Sequence, residues 1–358
     1  MPPSPSVLAD LRPLIDQALQ VRLGQLLPRL GGYDPVLEPV AEELRGFLDA
    51  GKRIRPALLL LGYEAGGGSD PQAVLGPALS LELLHTFALV HDDVIDRAPT
   101  RRGRPSVHER FAGWHAEQSL HGDGAGFGAA MAILVGDLAF VQADECFLDV
   151  DPTAVRAAWL VAAFRRFTIL REEVMAGQVL DVHTAAARRT DRTLALRVAT
   201  LKSGRYSVSR PLQIGALLAG ADDTLVEGLG RFGDPLGRAF QVRDDLLGVF
   251  GEEALTGKSA ASDLAEGKRT LLIAEAAQRL APGDWQHLDA RLGDGELDAD
   301  EAARLRGLLE DCGARAAAER YVTEAVAEAR AELTALSMPS VARERLHAVA
   351  DELGQRRA

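Results

Sequence analysis

The sequence predicts an all-α protein, and three observations carry that prediction. Apolar residues recur at helical spacing after the capping residue Ser6, as in Val7, Leu11, Leu14 and Ile15. Helix-start signals recur along the chain, such as Asp70-Pro71, which joins a capping side chain to proline at the first helical position. Runs that alternate apolar and polar residues, as strands do, do not occur in the sequence. Because no Pro/Ser-rich linker divides the chain either, we expect residues 1–358 to form a single domain.

Composition and charge disfavour several classes of function. Of the 358 residues, 47% are hydrophobic and 26% are charged, which is typical of a soluble globular protein. The formal net charge of -12 argues against broad binding to nucleic acid or to an anionic membrane, since both require a positive surface. Cys146 and Cys312 lack metal-ligand spacing and give no disulfide framework. We find no signal peptide and no run approaching about 20 apolar residues, so we expect a cytoplasmic protein without a membrane span.

The stretch Leu81–Pro105 places acidic and basic side chains next to each other. Its apolar helix ends in aspartates and is followed by a loop of arginines: Asp92, Asp93, Asp96, Arg101, Arg102 and Arg104. Positions i, i+1 and i+4 of a helix share one side, so we expect the three carboxylates to converge. Mg2+ is typically held by one or two carboxylates together with phosphate oxygens, which arginine also binds. The stretch predicts a site for Mg2+ and a phosphorylated substrate, while a solvated helix end beside a basic loop remains open.

A second acidic helix end follows more than a hundred residues downstream. The segment Phe240–Asp245 closes another apolar helix, with Gln241 one turn before Asp244 and Asp245. Several cations stand elsewhere in glycine-containing turns: Lys52, Arg55, Lys202, Lys258 and Lys268. Cations at the start of a helix, as in the first of these turns, oppose the helix dipole, which indicates an anionic ligand. Two acidic helix ends and several cationic turns together favour a shared metal and phosphate site.

These motifs together resemble the trans-isoprenyl diphosphate synthases, the polyprenyl synthetase family. In order, that family carries a GKxxRP turn, DDxxD followed by RRG, GQ, a KxG or KT elbow, FQxxDD, GK and GKxT. The corresponding segments here are GKRIRP from Gly51, DDVID from Asp92, Gly177-Gln178, Lys202-Ser203, FQVRDD from Phe240, Gly257-Lys258 and GKRT from Gly267. The resemblance extends from Gly51 to Thr270. One departure is Gly248, where the second motif usually ends in a third aspartate, so metal binding beyond Asp244 stays open.

The resemblance implies an antiparallel helical bundle around a central cavity, and a prenyltransferase that joins isopentenyl diphosphate to an allylic diphosphate. The catalytic motif would comprise Asp92, Asp93, Asp96, Lys202 and Asp244, with three Mg2+ ions bridging Asp92, Asp96 and Asp244 to the allylic diphosphate. Further contacts to the allylic diphosphate would come from Arg101, Lys202, Gln241, Lys258 and Lys268. Isopentenyl diphosphate would bind to Lys52, Arg55, His85 and Arg102. The resemblance also implies a homodimer.

Product length in that family is limited by large side chains four and five positions before the first aspartate. Phe87 and Ala88 occupy these positions here. Five helical residues span roughly 7.5 Å, so we expect Phe87 to lie below the metal site as the floor of the cavity. One aromatic residue beside a small one is most similar to synthases of the C20 product, geranylgeranyl diphosphate. The C15 product farnesyl diphosphate and products of C25 or longer remain open, because other helices also shape the floor.

Three other functions share parts of this pattern. A terpene cyclase shares the fold and DDxxD but has no use for a second diphosphate site at Lys52, Arg55 and Arg102. A metal phosphohydrolase is suggested by His91-Asp92 but needs further histidine ligands, and His85 lies on a different side of the helix. A non-catalytic partner subunit of a synthase would tend to lose the aspartates that are present here. The prenyltransferase interpretation accounts for the larger set of residues.

Overall fold

A computed structural model describes residues 6–49, 51–251, 262–294 and 297–354 of the chain. Helices account for most of these residues, and the predicted all-α class is confirmed. The helices up to the first acidic motif are α1 (Val7–Gly31), α2 (Glu38–Leu48), α3 (Ile54–Ala65) and α4 (Leu75–Ile95). Those up to the second motif are α5 (Val107–Glu117), α6 (Gly124–Phe147), α7 (Ala157–Ala186), α8 (Arg192–Val198), a π-helical segment (Ala199–Ser209), α9 (Arg210–Leu218) and α10 (Asp223–Phe250).

Shorter helices follow the second acidic motif. They are α11 (Ser262–Ala265), α12 (Leu271–Ala277), α13 (Pro282–Arg291), α14 (Ala299–Asp311), α15 (Ala314–Thr334) and α16 (Ser340–Gly354). Two helix starts follow the sequence signals: Ser6 accepts a hydrogen bond from the backbone N–H of Ala9 at 3.1 Å, and Asp70 caps the 3-10 turn Pro71–Val74 that leads into α4. Local sequence therefore sets where the helices that carry the acidic motifs begin.

A small β-hairpin, which the sequence did not indicate, follows α4. Strand β1 (Thr100–Arg101) pairs antiparallel with strand β2 (Arg104–Pro105). The turn residues Arg102 and Gly103 have φ of 53° and 73°. Positive φ at both turn positions is the condition for a type I′ turn, whose twist matches that of the two strands. The basic loop predicted after the first acidic motif thus forms a two-stranded hairpin.

Three clusters of buried apolar residues form the core. The first joins α1 to α4 with α6 and α7, the second joins α3, α9 and α10 with α16, and the third packs the end of α10 against α12 to α15. Because α3 and α10 each belong to two clusters, the packing fixes the ends of α4 and α10 relative to each other. The single domain expected for residues 1–358 stays a prediction.

The crossing of α3 and α9 depends on two glycines. A Cβ at Gly62 would lie 2.1 Å from the carbonyl oxygen of Leu212, and one at Gly215 would lie 2.0 Å from that of Leu59. Real Cβ atoms do not approach backbone oxygens so closely, so the two helices can touch only where both residues lack side chains. The crossing places the turn before α3 near the segment before α9, and both carry cations of the predicted site.

Within the residues that the structure describes, two helices are long and apolar enough to cross a membrane by length and composition alone. They are Pro71–Ile95, which is 72% buried inside the protein, and Gly124–Phe147, which is only 28% buried. The first is a core helix of the bundle. The second leaves an apolar face exposed, with Leu134 and Val141 at 60% and 58% exposure. Such a pair is weak evidence for a membrane span, and the cytoplasmic location stays a prediction.

We expect Gly215→Ala to destabilise the protein, because the new methyl group forces α3 and α9 apart. The expected loss is about 1–3 kcal/mol in the free energy of unfolding, the usual cost of overpacking, measured by denaturant unfolding. Gly24→Ala is the matched control: Gly24 is exposed in the interior of α1, and its added Cβ meets nothing within 4 Å. Alanine there should add about 0.5–1 kcal/mol. Equal effects in both variants would contradict this account of the crossing.

Candidate active site

One large cavity opens between the ends of α4 and α10, the π-helical segment and the turn before α3. Its volume is about 920 Å³. The predicted site residues that line it are Lys52, Arg55, His85, Phe87, Ala88, Asp92, Arg101, Arg102, Lys202, Gln241, Asp244 and Lys268. Asp96 lies beside it, 3.8 Å from Nζ of Lys268, while Asp93 lies behind it and Lys258 is outside the described residues. Residues scattered from 52 to 268 of the sequence thus meet in one place.

Asp92 at the end of α4 is held by two side chains from other elements. Its Oδ1 accepts hydrogen bonds from Gln178 Nε2 at 2.9 Å and from Lys202 Nζ at 3.2 Å. Lys202 is also 2.7 Å from Asp181. Burial would raise the pKa of Asp92, but the charges of Lys202 and Lys268 lower it below the ordinary value. Asp92 is therefore ionised and fixed in position at neutral pH.

At Asp96, one turn further along α4, burial and a neighbouring negative charge outweigh the nearby cations. Burial and then the charge of Asp92 raise the pKa of Asp96 to about 6. The two carboxylates repel each other where few waters screen them, and nearby lysines offset this only in part. A bound cation between them would remove the repulsion.

Asp93 occupies a different place from the other two aspartates. It is fully buried, and its Oδ1 accepts hydrogen bonds from Nε of Arg101 at 2.8 Å and from a terminal nitrogen of the same guanidinium. The expected convergence of all three carboxylates is thus corrected, because successive residues on a helix are rotated by about 100°. Asp93 instead holds Arg101, whose guanidinium also lies 4.0 Å from Asp92.

Lys202 reaches the cavity from a π-helical segment that packs closely on α7. A Cβ at Gly177 would lie 2.3 Å from the backbone nitrogen of Lys202, so only glycine permits this approach. The segment Ala199–Ser209 is π-helical over its length, a geometry that is rare and frequent at functional sites. Burial would lower the pKa of Lys202, but Asp92 and Asp181 raise it, so the ammonium stays charged. The Gly177-Gln178 motif therefore has two parts: the glycine admits Lys202, and the glutamine holds Asp92.

The second acidic motif lies at the end of α10 on the opposite wall. Gln241 donates a hydrogen bond to Oδ1 of Asp245 at 2.7 Å, and Asp244 lines the cavity. Burial, and then the charge of Asp263, raise the pKa of Asp245 well above its ordinary value. Asp263 comes from α11 and was not singled out from the sequence. It lies 3.5 Å from Lys268, the cation of the GKRT segment.

The residues expected to bind isopentenyl diphosphate form a cationic pocket beside Tyr206. The guanidinium of Arg55 lies 4.3 Å from the centroid of the Tyr206 ring, which restrains its orientation. Within the described residues, Nε of Arg55 and Nδ1 of His85 are buried without a hydrogen-bond partner. Desolvation and then the charge of Arg55 lower the pKa of His85 well below its usual value, so its ring is neutral at pH 7. Buried donors without partners, next to cations, fit an anionic ligand.

Arg53 is a structural member of this pocket that sequence reasoning missed. Its side chain is buried and is bound to Asp16 of α1 at 2.7 Å and to Glu82 of α4 at 2.9 Å. Its backbone is left-handed, with φ of 55°. The only sequence signal was one more cation in the turn before α3, and burial cannot be read from that. Arg53 thus anchors the turn that carries Lys52 and leads to Arg55.

The donor groups of the cavity fit Mg2+. Asp92, Asp96 and Asp244 present carboxylate oxygens, which hard divalent cations prefer. Within the described residues, no group of three or more His, Cys, Asp or Glu side chains is arranged to hold a metal ion by itself. Mg2+ commonly takes one or two carboxylates and completes its shell with waters and phosphate oxygens. The carboxylates present and their mutual repulsion therefore suit an ion that enters together with a diphosphate.

Comparison with known proteins identifies the family. The family model described as polyprenyl synthetase matches residues 38–309, which include both acidic motifs and the predicted cationic residues of the cavity. The chain belongs to the polyprenyl synthetase family. This polyprenyl synthetase is therefore a transferase of the prenyltransferase class, a trans-prenyl diphosphate synthase, and its family depends on Mg2+.

Relatives of this polyprenyl synthetase differ in the product that they are named for. A (2E,6E)-farnesyl diphosphate synthase of Mycobacterium bovis is 36% identical over 87% of this chain and 84% of that protein. A geranylgeranyl diphosphate synthase of Methanosarcina mazei is 34% identical over 78% of this chain and 79% of that protein. Among solved structures, one similar chain is geranylgeranyl pyrophosphate synthase of Corynebacterium glutamicum, complexed with isoprenyl diphosphate and magnesium. It superimposes with a TM-score of 0.89 and is 34% identical, and the match covers 96% of this chain and 99% of that chain.

We expect Arg53→Ala to destabilise the protein by about 3–5 kcal/mol, because Glu82 is then left as a buried charge without this partner. Denaturant unfolding measures the loss. Arg231→Ala is the matched control, since Arg231 pairs with Glu332 at the surface, where the two side chains are 57% and 39% exposed. Removing that pair should cost no more than about 1 kcal/mol. A small effect of Arg53→Ala would mean that the turn is held by other contacts.

Proposed function

We propose that this polyprenyl synthetase condenses isopentenyl diphosphate with an allylic diphosphate, head to tail and with trans geometry. The observation that carries the proposal is the cavity of about 920 Å³, in which two acidic helix ends meet two separate sets of cations. An enzyme with one diphosphate substrate needs only one such set. The second set, around Arg55 and His85, supports a second diphosphate.

The allylic diphosphate binds on the side of the acidic motifs. Asp92, Asp96 and Asp244 hold Mg2+ there, three ions in our proposal, and bound Mg2+ would neutralise charge that develops on the departing diphosphate. Arg101, Lys202, Gln241 and Lys268 bind the diphosphate oxygens, and Lys258 belongs to the same set although it lies outside the described residues. Asp93 positions Arg101. Because these charges are already oriented, little reorganisation is needed when the C–O bond breaks.

Isopentenyl diphosphate binds on the other side, to Lys52, Arg55, His85 and Arg102. Burial, and then the charges of Arg55 and Arg102, lower the pKa of His85 and keep its ring neutral, so His85 can form a hydrogen bond to the diphosphate without adding charge. The stacking of Arg55 on Tyr206 reduces the conformational freedom lost on binding. The substrate's double bond then faces the allylic carbon across the cavity.

Carbon–carbon bond formation requires protection from water more than a protein base. The double bond of isopentenyl diphosphate attacks the allylic cation, and the departing diphosphate, still bound by Lys202 and Arg101, accepts the proton that is lost. Apolar lining residues such as Val174, Phe240 and Leu247 keep water from the cation. The protein thus contributes orientation, charge and exclusion of water.

We expect Asp92→Ala and Asp244→Ala each to abolish condensation, because each removes a metal-binding carboxylate. The assay follows labelled isopentenyl diphosphate into products made with dimethylallyl, geranyl and farnesyl primers. Asp311→Ala is the matched control, since Asp311 is an exposed carboxylate at the end of α14 and should leave activity unchanged. Near-normal activity of Asp92→Ala or Asp244→Ala would refute the metal role.

A separate incubation with geranylgeranyl diphosphate alone distinguishes the synthase from a terpene cyclase. The proposed enzyme should return this compound unchanged or elongate it only after isopentenyl diphosphate is added. A hydrocarbon product formed without isopentenyl diphosphate would overturn the assignment.

The proposed main product is geranylgeranyl diphosphate, with C20. Phe87 lines the cavity and is braced by Phe140 and His91, whose ring centroids lie 4.9 Å and 4.6 Å away. His91 in turn packs on Gly136, where a Cβ would lie 2.3 Å from the His91 ring. A braced aromatic ring cannot swing aside as easily as a free one, so it supports the role of a floor. Ala88 beside it leaves space that a second large residue would fill.

We expect Phe87→Ala to lengthen the product by at least one isoprene unit, because the ring that limits the chain is removed. Chromatography of the products measures the shift. Phe127→Ala is the matched control: Phe127 packs on Trp114 and His115, away from the cavity lining, and its loss should not change product length. An unchanged product from Phe87→Ala would mean that another residue forms the floor.

We further propose that two copies of the chain associate through α6 and α7. Exposed apolar side chains recur along these helices, several of them seven residues apart: Leu134 and Val141 on α6, Leu148 at its C-terminal cap, and Val161, Met175 and Val182 on α7. A repeat of seven places them on one face of each helix, and contiguous apolar surface of this kind marks an interface. Met175 and Val179 also line the cavity while 44% and 66% exposed, so the wall is incomplete until a second copy covers it.

We expect Val141→Glu to shift the protein from dimer to monomer, because it places charge in the proposed interface. Analytical ultracentrifugation over a range of concentrations measures the shift. Val341→Glu is the matched control, since Val341 is 59% exposed on α16, against 58% for Val141 on α6. The proposal fails if the wild-type protein is a monomer, or if both variants behave alike.

A further inference from the structure

A second layer of side chains, contributed by α6 and α7, lies behind the Phe87 ring. Phe140 of α6 packs on Phe87, with ring centroids 4.9 Å apart. The central guanidinium carbon of Arg171 on α7 lies 5.1 Å from the centroid of the Phe140 ring. Neither Phe140 nor Arg171 is among the described residues that line the cavity, whereas Phe87 is. The pair therefore backs Phe87 on the side away from the cavity.

Arg171 lies one helical turn beyond the part of α7 that forms the cavity wall. Val174, three residues further along the helix, lines the cavity. Gln178, which donates a hydrogen bond to Asp92, is seven residues from Arg171. Seven helical residues span roughly 10.5 Å, against roughly 7.5 Å for the five residues between Asp92 and Phe87. Arg171 is thus placed at least as far from the predicted metal site as Phe87 is.

Aromatic rings enclose this guanidinium, and a carboxylate anchors it. Besides Phe140, it faces the rings of Phe164 and Phe167, at 5.5 Å and 4.5 Å from their centroids. Its Nη1 donates a hydrogen bond to Oδ1 of Asp144 on α6 at 2.6 Å, and its Nη2 donates one to the hydroxyl of Thr168 at 3.2 Å. Only 11% of the arginine side chain is exposed. The ion pair therefore ties α6 to α7 directly behind the cavity.

A growing hydrocarbon chain cannot replace the contacts that hold Arg171. An arginine over an aromatic face is attracted by the electrons of the ring, most strongly where water is excluded. Its hydrogen bond to Asp144 joins opposite charges, and such bonds are stronger than those between neutral groups. Displacing the guanidinium would leave a largely buried charge without these partners, which is costly away from water. Arg171 therefore holds the Phe140 ring in place more firmly than an apolar side chain would.

We propose that Arg171 is a positioning residue for product length: anchored by Asp144, it fixes Phe140 as a second floor, at which a chain that passes Phe87 stops. The inference rests on the proposed function, which assigns the growing chain to this cavity and its first floor to Phe87. The first floor does not depend on the second alone, because Phe87 also packs on His91 at 4.6 Å. The two floors act in sequence, and the second limits the product once the first is removed.

The experiment compares product lengths in the Phe87→Ala background, where the chain can reach the second floor. Each full-length variant is incubated with labelled isopentenyl diphosphate and farnesyl diphosphate as primer, and the products are separated by chromatography. Phe87→Ala/Arg171→Met keeps a long side chain but removes the charge, and it should lengthen the product by at least one isoprene unit beyond that of Phe87→Ala. A product of the same length as that of Phe87→Ala would overturn the inference.

An isosteric change at the anchor provides a second test of the same ion pair. Phe87→Ala/Asp144→Asn keeps the shape of the side chain and removes its charge, so the product should shift in the same direction. This variant decides the question if thermal unfolding shows that Phe87→Ala/Arg171→Met is not folded. Product of the Phe87→Ala length would then contradict the role of the ion pair.

Arg166→Met in the Phe87→Ala background is the matched control. Arg166 is on the same helix and is also largely buried, with 19% of its side chain exposed, but its contacts are with Glu227 of α10 and Gln213 of α9. Its loss should leave the product of Phe87→Ala unchanged, and an equal lengthening would refute a specific role of Arg171. Arg171→Met alone should keep the wild-type product, because Phe87 still closes the cavity. A longer product from that single variant would overturn the order of the two floors.

Phe87→Ala alone separates this inference from the function on which it rests. If the wild-type protein forms no prenyl product, the proposed function fails. If the wild type is active but Phe87→Ala makes the same product, the first floor is assigned wrongly and the second floor is refuted with it. If Phe87→Ala lengthens the product and neither double variant lengthens it further, only the role of Arg171 is wrong.

Discussion

The contact between Lys202 and Asp92 is the interaction on which the arrangement of the cavity depends. It joins residues 110 positions apart in the sequence, across α4 and the π-helical segment. Its formation requires that Gly177 lack a side chain and that the segment around Lys202 depart from ordinary helical geometry. With Gln178 and Asp181 completing the network, Asp92 is fixed before any substrate arrives. Order at the acidic end of α4 is therefore supplied by α7 and the π-helical segment, not by α4 itself.

The charged and polar groups around the cavity are balanced only when ligands are bound. Asp92 is paired with cations and ionises easily, whereas burial and Asp92 raise the pKa of Asp96 to about 6. On the other side, buried atoms of Arg55 and His85 lack partners within the described residues. Each of these features costs free energy that a bound cation or anion would relieve. The free energy lost in this way is recovered when metal and diphosphate bind, and it adds to their affinity.

Sequence reasoning predicted the all-α class and twelve of the residues that line the cavity, because both depend on local pattern. Helical spacing and capping residues define helices, and acidic or cationic motifs stand at their ends. It placed Asp93 wrongly, since spacing alone does not show which carboxylate an arginine eight residues later will bind. It also missed Arg53 and Asp263, because burial of an arginine and the filling of the space beside a glycine are properties of packing between distant segments. The burial of Arg53 and the position of Asp263 both arise from tertiary structure.

Met175 and Val179 show that solvent exposure alone does not reveal what a residue does. Both would be chosen for replacement by polar residues in an attempt to make the isolated chain more soluble, since they are apolar, exposed and far in sequence from either acidic motif. Yet both also line the cavity that is proposed to hold the growing hydrocarbon chain. Substitutions on the outer face of α7 would therefore also change the lining of the cavity. Solubility and activity cannot be engineered independently on that helix.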